Sequence, residues 1–209
     1  MRSPDAAPGR ERPALVGLTG AVAAGKSEAL AALGRLGAAT LSTDAVVHEL
    51  LTDDEVRARL TERWGAEVAP RGSVDRSRVG ALVFERPEEL EWLEAVLHPL
   101  VSERVASWVV GLPPHTSLAV VEVPLLFETG MEDSFDATIC VVADDAVRAE
   151  RAGARGTELV AGRAGRQLSQ AEKAARATFV VPNDGDLDQL EAELAALLPR
   201  LEAAHRGDR

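Results

Sequence analysis

The sequence is short of cysteine. Among 209 residues there is one, Cys140, so an internal disulfide is excluded. Cys140 lies within an apolar run, which predicts an inert position in the core. A single cysteine used in this way is typical of a protein from a reducing compartment.

Long apolar runs are also lacking. No stretch approaches the roughly 18 apolar residues that predict a membrane-spanning helix. Residues 1–13 carry proline, glycine and charge but no apolar h-region, which excludes a secretory signal and predicts a disordered lead-in. We therefore expect a cytoplasmic protein with no membrane partner.

An excess of basic charge is absent as well. The formal net charge is −11, and binding along nucleic acid requires a basic stripe, so we expect no nucleic-acid partner. A local basic pocket for a small phosphorylated ligand is compatible with this charge. There is no internal repeat and no low-complexity linker, so one core domain is expected, and we expect it to be a monomer.

One stretch near the start organises the chain. The apolar run 15–18 is followed by Gly20-x-x-x-x-Gly25-Lys26-Ser27 and then by a helical pattern. Strand, glycine-bounded loop and helix in this order form the context of a phosphate-binding P-loop, in which backbone N–H groups and the helix N-terminus face the phosphates. Lys26 would reach the outer phosphates and the Ser27 hydroxyl would hold Mg²⁺, so we expect ATP or GTP to bind. The predicted nucleotide-binding residues here are Gly20, Ala21, Val22, Ala23, Ala24, Gly25, Lys26, Ser27 and Glu28.

Hydrophobic patterning predicts the rest of the fold. Further strands are expected at 38–41, 118–123, 137–142 and 178–181, with helices between them. This alternation predicts an α/β fold with three layers and a mainly parallel sheet. A helical block between the second and third strands would cover an acceptor substrate, and we expect His98-Pro99 to interrupt one of its helices.

Asp44 and a cluster of arginines are the remaining candidates for chemistry. Asp44 follows the second strand, where open α/β sheets place ligand-contacting groups, but a helix-capping role is an equally good interpretation. The arginines form either a solvated basic helix or a lid that closes over phosphates, and the upstream P-loop favours the lid. They are Arg148, Arg151, Arg155, Arg163, Arg166 and Arg176.

The motifs that are missing narrow the class of P-loop protein. The Asp-x-x-Gly and Asn-Lys-x-Asp motifs of a GTPase do not occur. A motor or transporter ATPase is excluded less firmly, because the strands ending at Glu122 and near Asp144 resemble its acidic strand. The P-loop, the lid arginines and Asp44 can supply alignment, charge neutralisation and a proton acceptor, which favours a small-molecule kinase.

Five motifs in order resemble those of dephospho-CoA kinases. They extend from about residue 15 to 195, nearly the whole chain, and their agreement in order is specific although each alone is weak. The matching segments are Gly17–Ser27, Ser42–His48, Leu97–Val101, Val123–Glu128, and the later run Arg151-x-x-x-Arg155, Arg163-x-x-x-Gln167 and Phe179–Gly185.

The resemblance implies transfer of the ATP γ-phosphate to the ribose 3′-hydroxyl of dephospho-CoA. It implies a three-layer α/β/α P-loop kinase fold whose domain spans 14–201, with a core of about 14–51, 116–150 and 177–201. A helical CoA-binding portion over about 52–112 and a lid over about 151–176 complete this division. Independently of the resemblance, the residue pattern predicts a frayed tail at 202–209.

The resemblance also implies roles for single residues. Asp44 is implied as the base for the 3′-hydroxyl, acting with Lys26 and Arg151. The resemblance implies that Arg155 and Asn183 bind the nucleotide. The acceptor site is implied to involve Asp44 with His98, Pro124, Leu125 and Glu128.

Three departures from the family pattern leave alternatives open. Ser42 replaces the first acid of the Asp-Ala-Asp motif, so that Asp44 carries more of the chemistry or activity is reduced. Ala21 replaces a loop glycine, which requires a backbone without positive φ at that residue. The lid is about three residues shorter than is common. The alternatives are a kinase for another small hydroxylated acceptor, such as a nucleoside, and a nucleotide-binding regulatory module whose chemistry has decayed.

Overall fold

The computed structural model describes residues 12–154 and 167–204 of the chain. Within these ranges the strands β1 to β5 are Ala14–Gly20, Ala39–Ser42, Leu118–Glu122, Ala137–Val142 and Phe179–Pro182. The helices α1 to α8 are Lys26–Arg35, Thr43–Leu50, Asp54–Trp64, Arg76–Glu85, Pro87–Gly111, Asp145–Ala154, Gln170–Arg176 and Leu187–Ala203. Short 3₁₀ turns occupy Ala66–Val68, Pro70–Gly72 and Met131–Ser134.

The described residues divide into two compact units. The first contains 12–40, 111–154 and 167–204, and the second contains 41–110. Each unit has a hydrophobic cluster of its own. The domain boundaries given above stay a prediction, since residues 1–11 of the lead-in, 155–166 of the lid and 205–209 of the tail lie outside the described residues.

The five strands form one sheet in the order β2-β3-β1-β4-β5. Val16 of β1 lies opposite Val120 of β3 and Ala137 of β4, and both pairings are parallel. The β4–β5 pairing is parallel as well, with Cys140 opposite Val180. The predicted α/β fold with a mainly parallel sheet is therefore confirmed, and the carboxyl end of β1 lies beside those of β3 and β4.

The two faces of β1 are covered by different elements because successive residues of a strand point to opposite sides. Val16 and Leu18 are fully buried and join side chains of α1 and α8 in one cluster. On the opposite face, a Cβ on Gly17 would lie 3.1 Å from the side chains of Leu126 and Phe135. The segment after β3 therefore packs directly against the backbone of β1.

Cys140 occupies a fully buried position in β4. Burial raises the pKa of Cys140 to about 11, so the thiolate is scarce at neutral pH and the side chain is unreactive. Its prediction as an inert core residue is confirmed.

In the second unit, α5 continues through Pro99, so the predicted interruption at His98-Pro99 is wrong. A proline inside a helix costs about 3 kcal/mol. Burial of three apolar side chains contributes about 1.5–3 kcal/mol each, which outweighs that cost. These side chains lie on both sides of the proline along one stripe: Leu93, Leu97 and Val101.

None of the helices in 12–154 and 167–204 is both long and apolar enough to span a membrane.

Candidate active site

The loop between β1 and α1 is bounded by two glycines that the surrounding atoms require. A Cβ on Gly25 would lie 2.0 Å from Nδ2 of Asn183, and the backbone there has a φ of 95°. A Cβ on Gly20 would lie 2.5 Å from the carbonyl oxygen of Val141. Any side chain at either position would therefore displace neighbouring atoms of the site.

Two alanines of the loop differ in backbone conformation. Ala23 has a φ of 61°, and it and Arg71 are the non-glycine residues with positive φ in the described part of the chain. The left-handed conformation costs an alanine roughly 1–2 kcal/mol. Ala21 avoids positive φ, which is the condition under which an alanine is tolerated at that position. The strained residue of the loop is Ala23.

Lys26 closes the mouth of the loop. Its ammonium group donates to the carbonyl oxygens of Gly20, at 3.2 Å, and Ala21, at 3.0 Å. Lys26 and the exposed Ser27 open the first turn of α1, where free N–H groups and the helix dipole favour an anion. An ammonium group beside the N-terminus of a helix fits the phosphates of a nucleotide.

A Mg²⁺ ion at this site would need few ligands from the protein. No cluster of three or more His, Cys, Asp or Glu side chains that could hold a metal occurs among residues 12–154 and 167–204. Mg²⁺ at nucleotide sites is held by one or two protein oxygens together with phosphate oxygens and water. The exposed hydroxyl of Ser27 in the first turn of α1 fits such a role.

Asn183 clamps the loop from the end of β5. It is 4% exposed, and its Nδ2 donates to the carbonyl oxygen of Ala24 at 2.8 Å. Arg151, in α6, donates through Nη1 to the carbonyl oxygen of Asn183 at 2.9 Å. The structure thus brings Asn183 and Arg151 together with the P-loop, whereas Arg155 lies outside the described residues.

The segment 124–128 follows β3 and is tied to the same end of the sheet. The Thr19 hydroxyl, next to Gly20, donates to the carbonyl oxygen of Pro124 at 3.3 Å. Glu128 Oε1 accepts from the backbone N–H of Leu168 at 2.8 Å and from the Lys173 ammonium at 2.9 Å. Pro124, Leu125 and Glu128 therefore belong to the unit that carries the P-loop.

Asp44 and His98 belong to the second unit. Asp44 is the second residue of α2 and is exposed, and the N-cap position is taken by Ser42. Asp44 is therefore not the capping residue of α2, which begins at Thr43. A carboxylate in the first turn of a helix is favoured by the dipole. His98 is exposed in the middle of α5.

A model of the CoaE family, Dephospho-CoA kinase, matches residues 14–189. The chain belongs to the dephospho-CoA kinase family. It is 38% identical over 194 residues to the dephospho-CoA kinase of Deinococcus radiodurans, covering 91% of this chain and 93% of that one. It is 35% identical over 202 residues to a dephospho-CoA kinase of Thermus thermophilus, covering 95% and 97%.

Solved structures share the fold of this chain. The crystal structure of TT1252 from Thermus thermophilus superposes with a TM-score of 0.77 at 34% identity, covering 91% of this chain and 98% of that chain. Dephospho-CoA kinase from Campylobacter jejuni gives a TM-score of 0.61 at 22% identity, covering 90% and 96%. At 22% identity, the match to the Campylobacter jejuni protein supports the fold alone.

Sequence reasoning missed one charged residue of this family member. Lys173 is fully buried in α7, a helix that was expected only as part of a lid. The spacing Ser169-x-x-Glu172 is the signature of a capping box, and both of its hydrogen bonds are present. This signal could have located the helix, but nothing local indicates that its lysine is buried.

Proposed function

We propose that this member of the dephospho-CoA kinase family transfers the γ-phosphate of ATP to the ribose 3′-hydroxyl of dephospho-CoA, giving CoA and ADP. The observation that carries the proposal is the glycine-bounded loop, with Lys26 across its mouth and Asn183 clamping it, in a chain that matches the family over 14–189. A cytoplasmic location, a monomeric state and the absence of a nucleic-acid partner stay predictions.

On the donor side, the chain's own groups align and neutralise the phosphates. The loop N–H groups and the α1 N-terminus bind the phosphate oxygens, and Lys26 exchanges its loop carbonyls for the outer phosphates. Ser27 would hold Mg²⁺, which when bound neutralises charge on the phosphate oxygens. Arg151 and Arg155 add positive charge at the lid.

On the acceptor side, Asp44 removes the proton of the 3′-hydroxyl. The bond from that oxygen to the γ-phosphorus forms as the bond from the γ-phosphorus to the oxygen it shares with the β-phosphate breaks, and the proton ends on the Asp44 carboxylate. His98, Pro124, Leu125 and Glu128 shape the acceptor site. Ser42 lacks the carboxylate of the family's first acid, so one acid performs the proton transfer.

The test is an assay of ADP release with several acceptors. Purified protein with Mg²⁺-ATP is given dephospho-CoA, adenosine or shikimate in parallel, and the CoA product is identified by its mass. We expect dephospho-CoA to give the highest kcat/KM. A higher kcat/KM with adenosine or shikimate would assign another small-molecule kinase, and ATP binding without acceptor-stimulated turnover would assign a regulatory module.

A further inference from the structure

Lys173 is unusual for this chain. Of its 23 basic residues, two are lysines, Lys26 and Lys173, and all the others are arginines. Lys26 lies in the P-loop, and Lys173 is 0% exposed. Burying an ammonium group costs several kcal/mol unless partners compensate for the lost water. A buried lysine in a chain that otherwise uses arginine requires a specific set of partners.

The partners of Lys173 are the two ends of the segment 124–128. Its Nζ donates to the carbonyl oxygen of Pro124 at 2.6 Å and lies 2.9 Å from Glu128 Oε1. The same carbonyl oxygen accepts the hydroxyl of Thr19, which immediately precedes the first glycine of the P-loop. One ammonium group therefore contacts both ends of the segment, and the Thr19 hydroxyl separately ties the Pro124 end to the end of β1.

The Glu128 carboxylate depends on this contact. Oε1 carries its hydrogen bonds, from Lys173 and from the N–H of Leu168. Oε2 is buried and has no hydrogen-bond partner within the described ranges. Without Lys173, the Glu128 carboxylate would keep one backbone donor and lose its counter-charge, which favours a change of its position.

Attachment of α7 to the first unit does not depend on Lys173. At one end of the helix, Gln170 exchanges two hydrogen bonds with the backbone of Ala143, at 3.0 and 2.9 Å. At the other end, Arg176 pairs with Glu132 and lies 5.0 Å from the ring centroid of Phe127. A neutral side chain at 173 would leave these contacts in place.

We propose that Lys173 is a positioning residue for the acceptor substrate, acting through the segment 124–128 and the Glu128 carboxylate. This inference rests on the proposed function, because that segment is the one assigned to the acceptor. Lys173 orients the Glu128 carboxylate and holds the Pro124 end of the segment, whose carbonyl oxygen also accepts from Thr19.

The test is a double-mutant cycle of Lys173→Met and Glu128→Gln, with steady-state kinetics for both substrates. Methionine keeps the length of the side chain and removes its charge. We expect Lys173→Met to raise the KM for dephospho-CoA by about 10- to 100-fold, the size of effect that follows from misplaced binding groups. The KM for ATP should stay near the wild-type value.

The double-mutant cycle shows whether Lys173 changes the KM for dephospho-CoA through Glu128. If Lys173 acts through Glu128, adding Lys173→Met to Glu128→Gln should cause little further rise in the KM for dephospho-CoA. Additive effects would contradict the inference. If the KM of the double variant for dephospho-CoA returns to the wild-type value, the effect of Lys173→Met alone comes only from the unpaired charge left on Glu128. That result would overturn the inference as well.

Gln170→Ala is the matched control, because it removes an anchor of the same helix that does not touch 124–128. It should lower the Tm without changing either KM. Equal rises in both KM values for Lys173→Met would indicate general damage and count against positioning. If Lys173→Met does not fold, the neutral double variant is compared with Glu128→Gln alone, and equal KM values for dephospho-CoA support the inference.

The two proposals fail in different ways. Wild-type protein that leaves dephospho-CoA unmodified would refute the proposed function. Active wild-type protein with an unchanged KM for dephospho-CoA in Lys173→Met would refute the positioning role alone.

Discussion

Asn183 and Glu128 in the first unit are held by buried polar contacts, whereas Asp44 and His98 in the second unit lie at exposed helix positions. Asn183 is buried and bonded to the loop, and Glu128 is paired with a buried lysine. Asp44 and His98 are exposed. A residue of the first kind supports structure and function together, so its loss should affect both. A residue of the second kind is exposed, so its loss should affect the chemistry more than the stability.

Asp44→Asn should produce the largest separation of activity from stability. Removal of a general base lowers kcat by about 10²–10⁴-fold. The lost helix-dipole interaction should lower the free energy of unfolding by less than about 1 kcal/mol. Steady-state kinetics and urea unfolding measure the two effects. Asp53→Ala, which removes the N-cap bond to the Glu55 N–H at 2.8 Å, is the control: it should cost about 1 kcal/mol and keep kcat.

A drop in the unfolding free energy of Asp44→Asn as large as that of Asp53→Ala, with kcat retained, would contradict the assignment of Asp44 as the base. It would instead make Asp44 a structural residue of α2.

Asn183→Ala should affect both stability and donor binding. The buried carbonyl oxygen of Ala24 loses its side-chain donor, which costs about 1–3 kcal/mol. The loop is then less firmly held, so the KM for ATP should rise as well. Asp184→Ala serves as the control, because it removes an exposed contact to the Asp144 N–H and should leave the KM for ATP unchanged. A stability loss without any change in that KM would show that the clamp is not part of the donor site.

Ala23→Gly and Ala21→Gly should have opposite signs. Glycine at 23 removes the roughly 1–2 kcal/mol that the left-handed conformation costs an alanine. Against this, glycine adds conformational entropy to the unfolded chain, which destabilises the folded state by roughly 0.5–1 kcal/mol. We expect Ala23→Gly to raise the free energy of unfolding by up to about 1 kcal/mol and Ala21→Gly to lower it. Urea unfolding of the two variants checks this, and destabilisation by both would show that φ at 23 carries no strain.

Glu89→Gln should give the smallest effect, and one that depends on pH. Hydrogen bonds from Arg63 and Trp64 lower the pKa of Glu89. A carboxylate with a lowered folded pKa stabilises the protein above its unfolded pKa of about 4.3, and that stabilisation is lost as the pH falls through the folded value. Urea midpoints at pH 7, 5 and 3 should show wild type and variant converging towards acid pH. A difference that widens there would be inconsistent with this ion pair.

The fold and the P-loop could be predicted because their signals are local. Buried parallel strands are recognisable as apolar runs, and the loop has glycines at fixed spacing. The continuous helix through Pro99 could not be predicted from that residue alone, because the apolar stripe on both sides of it outweighs a local cost. Resemblance pointed to Ala21 as the loop residue that needed explanation, yet the positive φ belongs to Ala23.

Lys173 shows the limit of local reasoning most clearly. In the sequence it is one polar residue in a short helical stretch that begins with a capping box, where an exposed lysine is the ordinary expectation. Its burial depends on Pro124 and Glu128, about fifty positions earlier in the chain. Only the fold brings these groups together.

The strand order also has a consequence for synthesis of the protein. β1 is the first strand in chain order, yet it pairs with β3 and β4 and not with β2. During translation the apolar residues Val16 and Leu18 of β1 therefore lack their neighbouring strands at first. The full set of partners is present only after residues as late as 142 have left the ribosome. Such long-range pairing slows folding and exposes strand edges on the way. The strand that ends in the phosphate loop is thus the one that stays longest without a paired neighbour during synthesis.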